Sequence, residues 1–421
     1  MSEAIISEGI RPTRTDEFRQ RLEKRYKAER RFKLAGLSAI LISVAVLIFL
    51  LGNMTFNGLG GFQRAEIDVS IDLSQSGIAG DSSTLSGDDA LQVLQRQGLP
   101  DVVQFYAEQS LGEEAAQGIS SEAWRDLADD IIADPSILRE EVTFSLAATD
   151  DLASGLKDEG SAEMQALADR LEADGVLASN FDPGFLARSD ATSPQKVGIW
   201  GALKGSILTM IVTLLLAFPI GVLAALYLEE YAPKNRWTDV IEVSINNLAA
   251  VPSIIFGLLG LAVFLWMFPN LRSAPLIGGM TLALMTMPVI VISGRNAIKA
   301  VPPSIRDGAL AIGASPVQVV FHHVLPLALP GILTGTIIGM ARALGETAPL
   351  LMIGMRAFVA TAPDGFTSPA TVLPVQIFLW SDEIDRGFVE RTSAAIIILL
   401  LFLLLMNGLA IYLRNKFEKT W

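Results

Sequence analysis

Two ionisable side chains of opposite charge lie inside a long apolar segment of the chain. Arg342 and Glu346 are four residues apart, so in a helix they would share a face. Ionisable groups in a membrane span are rare and usually face a bundle interior or an aqueous path. Arg342 could offer charge and paired N–H donors to an oxyanion, with Glu346 holding or releasing it. The alternative is a self-satisfied ion pair that holds a helix bundle together or lies near the membrane interface.

The composition limits other chemistry. No cysteine occurs in 421 residues, so there is neither a disulfide framework nor a thiol nucleophile, and the only two histidines are adjacent. No Gly-x-x-x-x-Gly-Lys-Ser/Thr sequence is present to cradle a nucleotide phosphate. No basic stripe with interleaved aromatic residues indicates nucleic acid. We therefore expect no catalytic residue, no bound metal and no nucleic-acid partner.

Apolar segments long enough to cross a bilayer recur along the chain. The composition is 51% hydrophobic, and a helical span needs about 20 apolar residues. Six such segments lie at residues 32–54, 198–229, 240–268, 273–294, 327–352 and 392–413. The first follows a long polar lead without a small-residue cleavage site, which predicts a retained span rather than a cleaved signal peptide. The third is interrupted by Asn246, Asn247 and Pro252.

Charge is segregated along the sequence. Residues 55–194 carry 27 acidic and 7 basic residues and contain no apolar span, whereas the rest of the chain is net basic. Polar and apolar residues alternate from Glu66 to Leu73, which predicts a half-exposed strand, and later acidic stretches indicate helices. We therefore predict a small acidic α/β domain in this region.

The basic residues set the expected orientation. Arg and Lys cluster near the N-terminus, after the second and fourth spans, and in the C-terminal tail. With an even number of spans these all lie on one side, which the positive-inside rule assigns to the cytoplasm. We expect a multi-pass protein of a bacterial inner membrane with both termini cytoplasmic. It would consist of a basic cytoplasmic tail, a first transmembrane helix, an acidic periplasmic domain and a five-helix core, at residues 1–31, 32–54, 55–194 and 195–421.

The cytoplasmic loop of this core, residues 295–326, carries the signals of a short helix. Ser304, followed three residues later by Asp307, resembles a capping box, so the helix is expected to begin there. Gly313 is a natural stop. A helix of about nine residues is not stable alone in water, so its apolar face must be covered.

That apolar face consists of Ile305, Ala309 and Ile312 at helical spacing. It could pack on the protein's own spans, or it could dock into a groove on a partner. A second helix is expected to begin at Ser315, where Pro and Gln follow at the first and third helical positions, and to end at the membrane at Pro326.

The spacing in this loop resembles a cytoplasmic motif of the membrane subunits of ABC importers: Glu-Ala-Ala, three residues, Gly, nine residues, Ile, one residue, Leu-Pro. The departures are Asp for Glu, Gly308 for Ala and His323 for Ile. The resemblance implies that the short helix is a coupling helix held in a cleft of an ATPase subunit. It assigns ATPase coupling to Asp307, Gly308, Ala309, Ile312, Gly313, Leu325 and Pro326.

Other stretches resemble the permeases of phosphate ABC importers, within the MetI-like transmembrane family. Val-Pro-Ser-Ile-Ile-Phe-Gly-Leu at residues 251–258 and Arg-Ala-Leu-Gly-Glu-Thr-Ala-Pro at 342–349 are similar to signatures of that permease pair. Leu-Pro-Val-Gln-Ile at 373–377 and Arg-Gly-Phe-Val-Glu-Arg at 386–391 are similar to the PstA-type subunit in particular. The resemblance covers about residues 198–421, and the first span and acidic domain look like an extension.

The resemblance implies a fold, a path and partners. The fold is an α-helical integral membrane protein with six transmembrane helices of the ABC type I importer kind, plus a soluble α/β ectodomain. The substrate path includes Arg342, Glu346, Thr347 and Ser253. The partners are a PstC-type sister permease, a PstB-type ATPase dimer, a PstS-type phosphate-binding protein and the lipid bilayer. No cofactor is expected in this chain, because ATP and magnesium belong to the ATPase.

The expected function is therefore that of a permease subunit of an ATP-driven phosphate importer, not an enzyme. Two alternatives remain: a permease for another oxyanion or small solute, and a non-transporting membrane sensor or scaffold. Pro252, Gly257 and Gly260 either mark a broken helix near the path or a kink that serves packing alone.

Overall fold

The computed structural model describes residues 16–78, 85, 90–157, 160–355, 358–385 and 387–417. The start of the expected basic tail, as well as Arg386, lies outside these residues. The predicted α-helical membrane fold with a small α/β region is confirmed. The chain forms two structural units, residues 1–56 and 57–421.

The first unit is dominated by one long helix, α1 (Asp16–Gly60), whose last residues belong to the second unit. Gln20–Gly60 contains a window that is long and apolar enough to cross a membrane. The hydroxyls of Ser38 and Thr55 donate to the carbonyl four residues earlier, each at 2.7 Å. Such internal bonds suit a bilayer, which offers polar groups no water.

An antiparallel sheet of order β2-β1-β3 forms the centre of the α/β domain, which we define as residues 63–187. Its strands are β1 (Gln63–Asp72), β2 (Glu141–Ala147) and β3 (Leu177–Phe181). Val69 pairs with Phe144, and Ile67 pairs with Leu177. Ile67, Val69 and Ile71 are fully buried while Asp68 is exposed, so the predicted half-exposed strand is confirmed.

Seven α-helices accompany the sheet among the described residues of the α/β domain. They are α2 (Ala90–Arg96), α3 (Leu99–Leu111), α4 (Glu113–Ala116), α5 (Trp124–Ala133), α6 (Asp150–Gly155), α7 (Ala162–Ala173) and α8 (Gly184–Ala187). The apolar faces of α3, α5 and α7 join the buried face of β1 in one hydrophobic core. Ser161 is the N-cap residue of α7, and its Oγ accepts from the Met164 amide at 3.3 Å.

Eleven helices form the remainder of the described chain, which we call the helical core (residues 200–417). They are α9 (Trp200–Leu226), α10 (Arg236–Ala249), α11 (Ser253–Leu259), α12 (Leu265–Met267), α13 (Pro275–Lys299), α14 (Pro303–Ala311), α15 (Pro316–Val319), α16 (Leu325–Leu344), α17 (Ala348–Met352), α18 (Leu373–Ser381) and α19 (Gly387–Phe417). Three π-helical turns, Tyr227–Tyr231, Gly260–Phe264 and Val320–Val324, extend or join them.

Five helical segments of the described residues are long and apolar enough to cross a membrane, or six if one bent pair is a single span. The bent pair is Arg236–Ala249 and Ser253–Met267, whose axes differ by 105°. The interruption expected near Pro252 within residues 240–268 is therefore present, as a sharp bend between α10 and α11. Pro252 explains the break, because it has no N–H to donate and disfavours a helical conformation at Val251.

Small residues allow α9, α13 and α16 to pack closely. A side chain at Gly279 of α13 would overlap Val212 of α9, and one at Gly335 of α16 would overlap Ser293 of α13. Close backbone approach at glycine is a common way for helices to associate within a membrane. The loop that follows α13 and the last turn of α16, which contains Arg342, therefore both begin from this layer of packed helices.

Candidate functional site

The predicted short helix is α14, which follows α13 on the loop at residues 295–326. It begins at Pro303 with Pro302 as its N-cap residue, so the expectation that Ser304 caps it is wrong. Pro302 has extended backbone angles and Pro303 occupies the first helical position. A proline there has a preset φ and no N–H that needs a partner, so the helix starts without a side-chain cap.

The predicted stop at Gly313 is confirmed. Gly313 adopts a φ of +91°, and its amide donates to Leu310 O at 3.0 Å. The next amide, of Ala314, donates to Ala309 O at 3.1 Å, which completes a Schellman motif. The predicted capping box is also present: Gln318 N donates to Ser315 Oγ, while Ser315 N donates to Gln318 Oε1.

The predicted end of the second helix at Pro326 is wrong. The π-helical turn Val320–Val324 joins α15 to α16, and Leu325 and Pro326 form the first turn of α16. Pro316–Leu344 is thus one continuous candidate span. Proline has no backbone N–H, and it is tolerated in the first turn of a helix because the N–H groups there need no intrahelical acceptor. The π-helical turn before Pro326 places it in such a first turn, so the helix continues through it.

The apolar face of α14 divides between two environments. Ala309 is 6% exposed and belongs, with Ile305 packed beside it, to a hydrophobic cluster that includes Leu228 and Val320. Ile312, in contrast, is 84% exposed. Large apolar side chains are also exposed at Leu310 of α14, Val317 of α15 and Phe321 of the following π-helical turn. One side of the helix is therefore held by the protein itself, while its end presents apolar surface that no described residue covers.

Arg342 and Glu346 form the predicted ion pair, with Nε and Oε1 3.3 Å apart. They do not share a helix, because α16 ends at Leu344 and Glu346 lies in the following turn. Arg342 is half-exposed while Glu346 is 18% exposed. The guanidinium is thus anchored on one side, and most of its N–H groups have no partner among the described residues. Its position in the last turn of α16 also suits the negative end of the helix dipole.

Ser253 and Thr347 begin two neighbouring helices. Ser253 is the first residue of α11, and Thr347 is the N-cap residue of α17. A side chain at Gly257 would overlap Pro349, so these helices pack in direct contact. Neither hydroxyl has a hydrogen-bond partner in the described part of the chain, and both residues are half-buried.

A buried ionic junction joins the α/β domain to α19, and sequence reasoning missed it. Arg391 donates from Nη1 to Gly61 O at 2.7 Å and from Nε to Pro194 O at 2.8 Å. The third guanidinium nitrogen of Arg391, Nη2, forms an ion pair with the carboxylate of Asp182, the residue that follows β3. The only signal in the sequence was that Arg391 belongs to the stretch similar to PstA-type subunits.

Burial also affects acidic groups beside this junction. Burial raises the pKa of Asp150, although the Ser193 hydroxyl donates to it. Burial likewise raises the pKa of Asp190, which accepts from Trp380 Nε1 at 3.0 Å. The Lys196 ammonium, 2.7 Å from Glu122, lowers the pKa of that carboxyl. Sequence reasoning gave no role to any of these groups.

Comparison with known proteins identifies the class. The sequence model of the family described as "binding-protein-dependent transport system inner membrane component" matches residues 187–419. A domain of unknown function, DUF3333, matches residues 19–166. The chain belongs to the first family: it is a multi-pass inner-membrane permease component of an ABC importer. Such permeases work with a separate ATPase and a periplasmic binding protein, so this chain is not itself an enzyme.

Several relatives are permeases by name. The chain is 32% identical over 208 residues to the probable ABC transporter permease protein YqgI of Bacillus subtilis, which covers 46% of this chain and 69% of that protein. It is 30% identical over 234 residues to the phosphate transport system permease protein PstA of Haemophilus influenzae, which covers 55% of this chain and 80% of that protein.

Similar solved structures include the MetNI methionine ABC transporter in an inward-facing conformation, with a TM-score of 0.39 and 17% identity, covering 53% of this chain and 95% of that chain. A bacterial alginate ABC transporter in complex with a pentasaccharide-bound periplasmic protein gives a TM-score of 0.41 and 17% identity, covering 52% and 79%.

Proposed function

We propose that this chain is the PstA-type permease subunit of a phosphate importer and that phosphate passes Arg342. The observation that carries the proposal is the half-exposed guanidinium at the end of α16, held on one side by Glu346. A fixed guanidinium offers paired donors and charge that match a tetrahedral oxyanion. Relatives named as phosphate transport permeases support the same substrate.

The hydroxyls of Ser253 and Thr347 complete this path in the proposal. Both begin helices, where backbone N–H groups lack intrahelical partners and favour an anion. The contact of α11 with α17 keeps the two helix starts in one neighbourhood. A bend of 105° before Ser253 directs α11 away from the axis of α10, which is how broken helices line substrate paths in other transporters.

The ATPase would engage α14 and the residues that follow it. The apolar side chains of Leu310, Ile312 and Val317 are exposed there, and helix-in-groove contacts use such anchors. Closure of a PstB-type ATPase dimer moves α14, and the spans rock between outward- and inward-facing states together with a PstC-type sister permease. In the proposal both termini and α14 are cytoplasmic, and the α/β domain is periplasmic.

The α/β domain is proposed to contact a PstS-type binding protein or the sister subunit, not to collect phosphate. Its net acidic charge repels phosphate, although physiological salt screens that repulsion beyond roughly 8 Å. A cleft of about 590 Å³ opens between the domain and residues 358–362. Charges of both signs line it, among them Glu122, Asp129, Arg188 and Lys196, which suits contact with a soluble protein better than capture of an anion.

Competition for uptake tests the substrate. Proteoliposomes with the full complex should take up labelled phosphate, and excess unlabelled phosphate should compete while sulfate and molybdate should not. Competition by sulfate or molybdate alone would assign the permease to another oxyanion. ATP hydrolysis that responds to the binding protein without any solute uptake would favour a sensor.

The orientation has its own test, which the absence of native cysteine makes simple. Single cysteines at the exposed positions Gln104 and Lys234 should react with an impermeant maleimide from opposite sides of the membrane. We expect outside labelling at position 104 in spheroplasts and labelling at position 234 only after the membrane is opened. The reverse pattern would overturn the orientation.

A further inference from the structure

Five charged side chains connect α9, α10, α13 and α14, and the proposed function gives them no role. They are Glu229, Glu230, Glu242, Arg295 and Arg306. Glu229 and Glu230 lie in the π-helical turn that ends α9. The other three lie on α10, α13 and α14.

Arg306 contacts two other helices at once. It donates from Nη1 to Val301 O at 2.6 Å and from Nη2 to Ile298 O at 2.9 Å. Ile298 lies in the last turn of α13, where its carbonyl also accepts from the Val301 amide, and Val301 follows just beyond the helix end. The helix dipole is negative at this end, which favours a cation. The same guanidinium reaches Glu230 Oε1 from Nη2 at 2.7 Å and from Nε at 3.2 Å.

Arg295 makes the matching connection from α13. It pairs with Glu229 at 3.4 Å and with Glu242 of α10. The end of α9 is therefore tied both to α13, through Arg295, and to α14, through Arg306. A displaced α14 cannot separate from α9 or α13 without breaking charged contacts.

The burial of these contacts determines their strength. The side chains of Arg306 and Glu230 are 21% and 13% exposed. Charge-assisted bonds that are largely shielded from water are stronger than exposed ion pairs, which contribute little. Removal of Arg306 would leave Glu230 without its charged partner and would take one donor each from the carbonyls of Ile298 and Val301. A lysine at this position cannot replace the planar guanidinium group, whose several N–H donors reach Val301 O, Ile298 O and Glu230 at the same time.

We propose that Arg306 is a positioning residue that fixes the coupling helix α14 to the ends of α9 and α13. A displacement of α14 would then pass to both spans as one rigid-body movement. The inference rests on the proposed function, because it assumes an ATPase that moves α14. It adds that the link stays intact throughout the transport cycle.

The test is the number of phosphate ions taken up per ATP hydrolysed in proteoliposomes with the full complex. Arg306→Gln should still retain the ATPase on an affinity-tagged chain and still hydrolyse ATP. Its phosphate uptake per ATP should fall about tenfold, the effect of one lost charge-assisted hydrogen bond. Arg306→Lys should fall between Arg306→Gln and the native protein. The matched control is Lys299→Gln, an exposed base at the end of α13, and it should keep the native ratio.

A covalent link provides a second test that does not depend on the yield of the glutamine variant. Cysteines replacing both Glu230 and Arg306 should uncouple uptake, and joining them with a short, reducible bifunctional thiol reagent should restore it. Inhibition on cross-linking that reduction relieves would overturn the inference, because the contact would then have to open. A native phosphate-to-ATP ratio in Arg306→Gln would also overturn it. If the native complex shows no ATP-driven uptake, the proposed function fails instead.

Discussion

Arg391 of α19 and Asp182 form an ion pair with Nη2 and Oδ2 3.1 Å apart, and neither side chain is more than 3% exposed. Arg188 donates to both oxygens of the same carboxylate, at 2.9 and 2.7 Å. The Arg391 guanidinium also lies 5.0 Å from the Phe185 ring centroid. One buried carboxylate thus connects the start of the last long helix with the end of β3. The α/β domain is therefore built into the helical core and is not a module on a free tether.

Loss of this arginine should destabilise the protein severely. Arg391→Gln leaves the Asp182 carboxylate with Arg188 as its remaining charged partner, so the cost should lie near the lower end of the about 3–5 kcal/mol typical of breaking a buried pair. The matched control is Arg125→Gln in the same domain, where the arginine is 54% exposed and the expected change is within about 0.5 kcal/mol. Thermal unfolding of the full chain in detergent compares them. Equal transition temperatures would show that the junction does not stabilise the fold.

The exposed end of α14 provides the sharpest test of ATPase docking. Ile312→Asp places a charge on a side chain that is 84% exposed, so the fold should persist while retention of the ATPase is lost. Ile384→Asp makes the same change at a residue that is 99% exposed and precedes α19, and it should retain the ATPase. Co-purification from membranes measures both. Equal retention by the two variants would contradict docking at α14.

Ala309→Asp should behave differently. The sequence alone suggests Ala309 as a docking residue, but its side chain is 6% exposed and packs against the helical core. An unpaired buried carboxylate should lower the yield of folded protein rather than remove docking alone. Size-exclusion profiles should show that loss, and a normal profile with lost ATPase retention would show that Ala309 itself contacts the partner.

Two glycines of the same motif should respond in opposite ways to alanine. Gly308 lies inside α14 with open space around an added Cβ, so Gly308→Ala should stabilise by about 1 kcal/mol. Gly313 has a φ of +91°, so Gly313→Ala should destabilise by about 1–2 kcal/mol. Limited proteolysis of the loop should report slower cleavage for the first and faster cleavage for the second. The same direction for both would mean that backbone conformation does not control this loop.

The buried acids near the junction predict a dependence of stability on pH. Burial raises the pKa of Asp190 in the folded state, so the folded protein binds that proton more tightly than the unfolded chain. The resulting contribution is present at low pH and is lost as pH rises through the folded-state pKa. The native protein should therefore gain more stability than Asp190→Asn when pH falls from about 7 towards the ordinary pKa of aspartate, about 4. Glu122 contributes in the opposite direction, but it is present in both proteins, so its effect cancels when the native protein is compared with Asp190→Asn. Parallel profiles of stability against pH would contradict a raised pKa at Asp190.

Sequence patterns predicted the local structure well where chain geometry alone decides it. The alternation around Val69, the stop at Gly313 and the capping box at Ser315 are all present. Errors arose where a larger context overrides a local signal. Pro302 and Pro303 start α14 before Ser304 can cap it, and a π-helical turn carries the chain past Pro326.

Long-range ionic contacts could not be read from spacing. Asp182 and Arg391 are 209 residues apart, and Glu230 and Arg306 are 76 apart. From the sequence alone, such residues can be interpreted only as surface charges or as basic residues that indicate the orientation in the membrane, and their partners cannot be predicted. Arg342 and Glu346 were recognised because they are close in sequence and lie in apolar surroundings. Their placement on a substrate path remains a prediction.

Arg342 offers the direct test of that path. Arg342→Gln removes the charge and the paired donors, so phosphate uptake should fall about tenfold or more while ATPase retention persists. Glu346→Gln should have a smaller effect, because it loosens the guanidinium without removing it. Unchanged uptake in Arg342→Gln would move the path elsewhere without affecting the permease assignment.

Uptake of labelled phosphate by proteoliposomes tests the central claim, with this chain reconstituted alongside its sister permease and ATPase. The account predicts accumulation that requires both ATP and phosphate-loaded binding protein and that is lost in Ile312→Asp. A complex that assembles and hydrolyses ATP in response to the binding protein, yet accumulates no phosphate, would contradict it.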